Sequence, residues 1–152
     1  MLIKKNFGKF KDLSISWTVS KGKRNLSVAV VFIHGFGACK EHWRNNQNVI
    51  GEITDTYAID LIGFGESCQP TSQLKNEIKN NNNYIYCFDN WSDQIEYFCK
   101  EIVNRPVILV GNSIGGVIAL KAAEKLRNQC KGVIGINCAQ RRMDDKRLSE
   151  QS

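Results

Sequence analysis

Three short apolar runs, each followed at once by a glycine-rich segment, are the feature that most constrains how this chain can fold. The runs cover residues 28–33, 57–61 and 106–110, and the glycine-rich segments after them cover residues 34–37, 62–66 and 111–116. Continuous apolar runs of this length, rich in β-branched residues, are typical of parallel strands buried on both faces. Because ligands bind at the carboxyl ends of such strands, we expect the three glycine-rich segments to converge on one site.

Stretches with helical periodicity separate and follow the apolar runs. They cover residues 41–50, 91–104 and 114–128, and the second has one apolar stripe behind a cap at Asp89 or Asn90. An alternation of buried strands with helices predicts an α/β fold, in which a mostly parallel sheet carries helices on its faces.

The other segments add strands and a loop to this plan. Residues 12–20 alternate in polarity and predict a half-exposed antiparallel strand that pairs with residues 7–10. Residues 132–138 predict a final short strand. Residues 68–83 contain Pro70 and a run of asparagines, and they predict a long surface loop.

The composition is that of one soluble globular domain. The chain has 152 residues, 42% of them hydrophobic and 24% charged, which is enough for a single core. No apolar run is long enough to span a membrane and no signal peptide precedes the domain, so we predict a cytoplasmic protein. Six scattered cysteines without metal-ligand spacing predict free thiols and no metal site. Cys39, close after a glycine-rich segment, is a candidate functional thiol without a visible activating partner.

The formal net charge of +6 comes largely from basic residues at 4–11, 21–24 and 141–147. A nucleic-acid interface needs such groups to converge beside base-stacking aromatics or within a known module, and the sequence shows neither. We therefore predict no nucleic-acid partner. Solvated loops account for the charge, and an attraction to anionic membrane surfaces is the alternative.

The sequence Gly-Asn-Ser-Ile-Gly at residues 111–115 predicts a nucleophile. A sharp turn from a strand into a helix strains the serine backbone and exposes its hydroxyl, and small residues at Gly111 and Gly115 avoid the resulting clashes. The turn places Ser113 at a helix N-terminus, where the N–H of Ile114 can donate to an oxyanion. A chance glycine-rich turn is the alternative, but the strand before it and the helix after it favour a nucleophile.

The sequence His-Gly-Phe-Gly at residues 34–37 predicts the second oxyanion donor. Gly35 and Gly37 let the backbone approach a substrate, and we assign the donor role to the N–H of Phe36. His34 would have to be aimed at the serine to act as a base, whereas a histidine that starts such a loop more often holds it by hydrogen bonds. His42, at the start of a helix, is no better placed.

The third segment, residues 60–67, contains an acid and an aromatic residue. Asp60 resembles a triad acid, but acceptance of local backbone N–H bonds is the more common role for an aspartate in such a loop. Phe64 suits either a wall of the site or the core.

These three segments together resemble the α/β-hydrolase superfamily, and their order and spacing match the N-terminal half of that family. The resemblance implies that Ser113 is the nucleophile, with the N–H groups of Phe36 and Ile114 as the oxyanion hole. Residues 41–43, 59–67 and 111–116 also resemble the branch of pheophytinase and chlorophyll dephytylase-like hydrolases, which cleave esters of long isoprenoid alcohols.

The chain departs from the family after its final predicted strand. In the family the triad acid follows a later strand and the histidine lies near the C-terminus, whereas this chain has no histidine after Ser113. Asp144 and Asp145 are the only acids just beyond that strand, and they lie in a charged stretch. We therefore predict a partial α/β-hydrolase core over residues 1–140 and a charged tail at 141–152, truncated before the last strands and the cap.

Three function classes follow. The chain is a serine hydrolase for a small apolar ester, weak or inactive alone, or a non-catalytic remnant, or a small-molecule binding protein. The chemistry needs no cofactor. Because Val133, Ile134 and Ile136 would lie on an open parallel edge, we also predict self-association or a C-terminal partner chain.

Overall fold

A six-stranded, mostly parallel sheet forms the centre of the described part of the chain, residues 2–24, 26–73 and 83–138 of a computed structural model. Its strands are β1 (Lys4–Phe10), β2 (Leu13–Ser20), β3 (Ala29–Ile33), β4 (Thr56–Ile59), β7 (Val107–Asn112) and β8 (Cys130–Ile136), and their order is β1-β2-β4-β3-β7-β8. The last four strands in that order are parallel, while β1 and β2 are antiparallel to their neighbours. Two short strands, β5 (Thr71–Ser72) and β6 (Asn83–Tyr84), pair separately.

Helices cover both faces of the sheet and give it two cores. They are α1 (Arg44–Ile50), α2 (Phe88–Tyr97) and α3 (Ile114–Leu126). The larger core includes Phe98, whose ring lies 5.4 Å from that of Trp17 and 5.9 Å from that of Tyr57. In the smaller core, on the α1 face, the rings of Phe32 and Trp43 stack at 4.9 Å. The predicted α/β fold with a mostly parallel sheet is therefore confirmed.

Several helix boundaries differ from those predicted. The predicted cap at Asp89 or Asn90 is wrong, because α2 begins at Phe88 and its N-cap is Cys87 in an extended conformation. The side chain of Asn90 donates instead to the carbonyl of Ile85 at 2.7 Å. A π-helical turn, Phe98–Val103, continues α2, and a 3-10 turn, Lys40–Trp43, precedes α1.

The prediction of a half-exposed strand at residues 12–20 is also wrong. In β2 the polar side chains Ser16, Thr18 and Ser20 are buried along with Ile15. Alternation in polarity did not mean solvent on one face here, because a polar residue of α1 covers that face. Gln47 accepts a hydrogen bond from the Thr18 hydroxyl at 2.8 Å.

The rest of the chain agrees with the outline from sequence or lies outside the description. The predicted hairpin at 7–10 exists as β1 paired with β2. Of the predicted loop at 68–83, residues 74–82 lie outside the described residues, as do Asp144, Asp145 and the tail at 141–152. Over the described residues, no helix has both the length and the apolar character to cross a membrane.

Strand β8 is an edge of the sheet as far as the described residues extend. It pairs with β7, in a register that sets Ile134 beside Val110. Ile134 and Ile136 are 52% and 43% exposed, whereas Val110 is buried. The smaller core thus continues outward into an uncovered apolar edge.

We predict that this edge drives self-association. The double substitution Ile134→Lys and Ile136→Lys should shift the chain towards monomer, because charge on an edge strand opposes pairing with another chain. Sedimentation velocity over a range of concentrations measures the effect. Leu120→Lys is the matched control, since Leu120 is exposed on α3. A parent chain that stays monomeric at high concentration would contradict the prediction.

Candidate active site

The turn between β7 and α3 holds Ser113 in an uncommon backbone conformation. Ser113 has φ 54° and ψ −120°, and it is the N-cap of α3. Such a conformation is strained for a residue with a side chain, and it persists only where the surroundings enforce it. The N–H of Ser113 donates to the carbonyl of Ile136 at 2.9 Å, so β8 supports the turn.

Close backbone packing explains the glycines on both sides of the serine. A Cβ at Gly111 would collide with the carbonyl of Gly115, and a Cβ at Gly115 would collide with the carbonyls of Ile33 and His34. The turn is therefore pressed against the end of β3, and only glycine fits at either position.

The segment that follows β3 lies directly against Ser113. A Cβ at Gly35 would stand 3.2 Å from the Cβ of Ser113 and 3.3 Å from the carbonyl oxygen of Asn112. Phe36, the next residue, is 77% exposed, and Gly37 has φ 72°. Ile114 begins α3, where the first backbone N–H groups have no partner within the helix.

His34 is buried and uses both ring nitrogens within its own neighbourhood. The N–H of Leu61 donates to Nε2 at 3.1 Å, so Nε2 is an acceptor and Nδ1 carries the proton. Nδ1 then donates to the carbonyl of Gly35 at 2.7 Å. Burial lowers the pKa of His34 and keeps the ring neutral. Neither nitrogen is left to accept a proton from Ser113.

His42 lies in the 3-10 turn before α1 and is exposed. Its ring packs edge-on against Trp43, with centroids 5.6 Å apart. Among the described residues, no hydrogen bond joins either histidine to Ser113.

Asp60 is buried at the end of β4 and binds the loop that follows β3. Its carboxylate accepts hydrogen bonds from the backbone N–H and the Nζ of Lys40, both at 2.7 Å, and from the N–H of Glu66 at 2.9 Å. The side chain of Lys40 is fully buried and also reaches Glu66 at 2.6 Å and Glu41 at 3.1 Å. Sequence reasoning missed Lys40, because a lysine just before a predicted helix is usually solvated.

Side chains of α2 hold the segment after β4 by hydrogen bonds to its backbone. The buried side chain of Gln94 accepts from the N–H of Ile62 at 2.9 Å and donates to the carbonyl of Asp60 at 3.0 Å. The indole of Trp91 donates to the carbonyl of Ile62 at 2.9 Å. The three glycine-rich segments therefore converge on one edge of the sheet, as the sequence predicted.

Phe64 packs in the core, one of the two roles predicted for it, and it also contacts the glycine-rich segment after β3. It packs on the larger core, with its ring 6.0 Å from that of Trp91. Its edge also meets the rings of His34 at 5.4 Å and Phe36 at 5.5 Å. An aromatic surface thus extends from the core to the exposed Phe36.

Neither a metal nor a reactive thiol is indicated near this edge. Among the described residues, no group of three or more His, Cys, Asp or Glu side chains is arranged to hold a metal ion. All six cysteines are free, and burial raises the pKa of Cys39, which disfavours its thiolate.

A sequence profile of the alpha/beta hydrolase fold family matches residues 28–148. The chain belongs to that family. It is 29% identical to chloroplastic pheophytinase of Arabidopsis thaliana over 76% of this chain and 28% of that protein. It is 27% identical to the human (lyso)-N-acylphosphatidylethanolamine lipase over 78% of this chain and 32% of that protein.

Solved structures show the same fold. A bacterial membrane phospholipase A described as a virulence factor superposes with a TM-score of 0.76 at 26% identity, covering 90% of this chain and 40% of that one. A probable hydrolytic enzyme of Pseudomonas aeruginosa gives 0.74 at 18% identity over 90% and 41% of the two chains. The chain thus spans about a third of the length of its curated relatives.

We predict that Gly111→Ala lowers the free energy of unfolding by about 1–3 kcal/mol or more, the usual cost of overpacking, because its Cβ meets backbone that cannot move freely. Chemical denaturation measures the change. Gly132→Ala is the matched control, since no atom lies within 4 Å of the added Cβ. Equal effects of the two substitutions would contradict the close packing of the turn.

We also predict that stability falls as the pH drops from 7 to 5. The pKa of His34 is lowered in the folded chain, so below about 6.5 the unfolded chain binds a proton that the folded one does not. Denaturation at several pH values should show this slope in the parent and in His42→Gln but not in His34→Gln. Persistence of the slope in His34→Gln would assign it elsewhere.

Proposed function

We propose that this chain carries the nucleophile and the oxyanion hole of a serine hydrolase that cleaves esters by acyl transfer. The observation that carries the proposal is the strained backbone of Ser113 at the N-terminus of α3, with Gly35 packed against it. Strain of this kind at a strand-to-helix turn presents a serine hydroxyl to a substrate.

In the proposed reaction, Oγ of Ser113 attacks the ester carbonyl carbon and its proton passes to a base. The tetrahedral oxyanion accepts hydrogen bonds from the N–H groups of Phe36 and Ile114. The C–O bond to the alcohol breaks, the alcohol leaves with a proton, and the acyl group stays on Ser113. Water then releases the acid by the same steps.

The base is the missing part. His34 uses both ring nitrogens in loop hydrogen bonds and His42 packs on Trp43. We infer that a histidine comes from polypeptide beyond this chain, joined to it or associated with the β8 edge. Asp144 and Asp145 remain candidate acids.

The aromatic surface at Phe36 and Phe64 supports an apolar ester as the substrate. An exposed phenylalanine beside the nucleophile offers contact to an acyl or alcohol chain. Similarity to a pheophytinase and to a lipase supports an ester substrate, and the branch that the sequence resembles makes an ester of a long isoprenoid alcohol one candidate. The six free cysteines support a reducing compartment such as the cytoplasm.

We predict that p-nitrophenyl esters acylate Ser113 slowly, with turnover several orders of magnitude below that of a hydrolase with a complete triad. Release of p-nitrophenol measures the rate, and mass spectrometry of the digested chain locates the acyl group. Ser113→Ala should abolish the adduct. Ser27→Ala is the control, because Ser27 is exposed.

Three other outcomes have distinct meanings. Rapid turnover abolished by Ser113→Ala would show that the chain holds its own base. Binding of an apolar ester that is unchanged in Ser113→Ala, with no adduct, would favour a small-molecule binding protein. Neither binding nor adduct would favour a non-catalytic remnant.

A further inference from the structure

We propose that Lys40 is a positioning residue that holds the oxyanion loop, defined as residues 34–40, in its working geometry. The inference rests on the proposed function, because the loop contains the proposed donor N–H of Phe36. Lys40 itself is not proposed to touch the substrate. It acts through the backbone to which it is joined.

The oxyanion loop is fixed at both ends to the segment that follows β4. At the first end, His34 accepts the N–H of Leu61 at 3.1 Å. At the other end, Lys40 donates to Asp60 twice, from its backbone N–H and from Nζ, both at 2.7 Å. The two hydrogen bonds engage the two different oxygens of the carboxylate, so the end of the loop is fixed in orientation as well as position.

Between these ends, Gly35 packs against Ser113 and the ring of Phe36 meets that of Phe64, but the backbone at residues 36 and 37 is not covered. Phe36 and Gly37 are exposed, and a Cβ at Gly37 would have no neighbour within 4 Å. A single turn bond, from the N–H of Ala38 to the carbonyl of Gly35 at 3.2 Å, spans the middle. The path of the donor N–H therefore depends on where the ends are held.

The burial of Lys40 is costly unless every charge is matched. Its side chain has no exposed surface, and Nζ contacts the carboxylates of Asp60, Glu66 and Glu41. A buried ion pair is weak evidence for stability alone, since apolar residues of similar volume often stabilise as well or better. What the ion pair adds here is a defined geometry between two loops. Gly65 leaves room for the Asp60 carboxylate of this ion pair, because a Cβ at Gly65 would collide with that carboxylate.

Glu66 extends the same network to the far edge of the sheet. It accepts from Nζ of Lys40 at 2.6 Å and from Nζ of Lys5 on β1 at 2.9 Å. Because Lys5 and Glu66 are about half exposed, their pair contributes little energy. We therefore assign the positioning role to Lys40 and Asp60, with Glu66 as a lesser support.

The test separates positioning from stability with three variants. Lys40→Met removes the cation and leaves Asp60 with its backbone donors only. Lys40→Met combined with Asp60→Asn removes both charges, so it relieves the buried unpaired carboxylate without rebuilding the link from Nζ. The single amide oxygen keeps one of the two backbone N–H bonds, from Lys40 or from Glu66, that the carboxylate accepts. Lys125→Met is the control, because Lys125 is partly buried and, like Lys40, paired with a carboxylate, that of Asp93 on α2, away from the oxyanion loop.

Three measurements are made on each folded variant: the free energy of unfolding, the rate of Ser113 acylation by p-nitrophenyl acetate at saturation, and hydrogen exchange of the amides at 35–39. We expect Lys40→Met to acylate about 10- to 100-fold more slowly, since a small misplacement of a catalytic group has effects of this size. The concentration of ester at half-saturation should change little. Exchange at 35–39 should rise.

The double variant decides the proposal. We expect it to recover stability relative to Lys40→Met while its acylation stays slow and its loop exchange stays fast. Acylation at the parent rate in the double variant, or an equal loss in Lys125→Met, would overturn the positioning role. If Lys40→Met alone does not fold, the double variant and Glu66→Gln are compared with the parent chain. Glu66→Gln should lower the rate of Ser113 acylation in the same direction, but by less.

Failure of the proposed function looks different. In that case the parent chain forms no adduct at Ser113, while hydrogen exchange at 35–39 still reports whether Lys40 holds the loop. Unchanged exchange in the double variant would then overturn the inference on its own.

Discussion

The parallel register of the four strands β4, β3, β7 and β8 organises this site. It sets Ile59, Ile33, Gly111 and Gly135 side by side in one row across the sheet. The segments that carry Asp60, His34 and Ser113 begin within two residues of that row, so their side chains and backbones meet without any long connection. A shift of one residue in any strand would turn its side chains to the opposite face and separate the segments.

The groups around Ser113 fall into two parts: a buried hydrogen-bonded set, here called the polar frame, and the aromatic surface at Phe64 and Phe36, here called the apolar mouth. The frame consists of buried side chains and the groups they bind: His34 with Leu61 and Gly35, and Asp60 with Lys40 and the backbone N–H of Glu66. The mouth is aromatic and leads from Phe64 to the exposed Phe36. Hydrogen bonds in a frame of low dielectric are strong and directional, which suits a site whose proposed donors are backbone groups with no side chain to steer them.

Local signals were sufficient to predict much of this from the sequence. The strand, the glycines and the helix around Ser113 lie within ten residues, and steric rules link them directly. The convergence of three loops followed from a parallel sheet alone. What failed depended on distant partners: the burial of Thr18 is matched by Gln47 of α1, and that of Lys40 by carboxylates 20 and 26 residues away. No neighbour in the sequence marks Lys40 as different from a solvated lysine. The cap of α2 was missed for another reason: Cys87 is the N-cap through its extended backbone, and its side chain makes no capping hydrogen bond.

The hydrogen bond from the N–H of Ser113 to the carbonyl of Ile136 joins the turn to the outermost described strand. Ile136 ends β8, and the far side of that strand has no neighbour among the described residues. Any strand that pairs there also braces the carbonyl on which the serine turn rests. Pairing at the free side of β8 would therefore also restrain the backbone of Ser113. The reactivity of Ser113 would then depend on whether another strand is paired with β8.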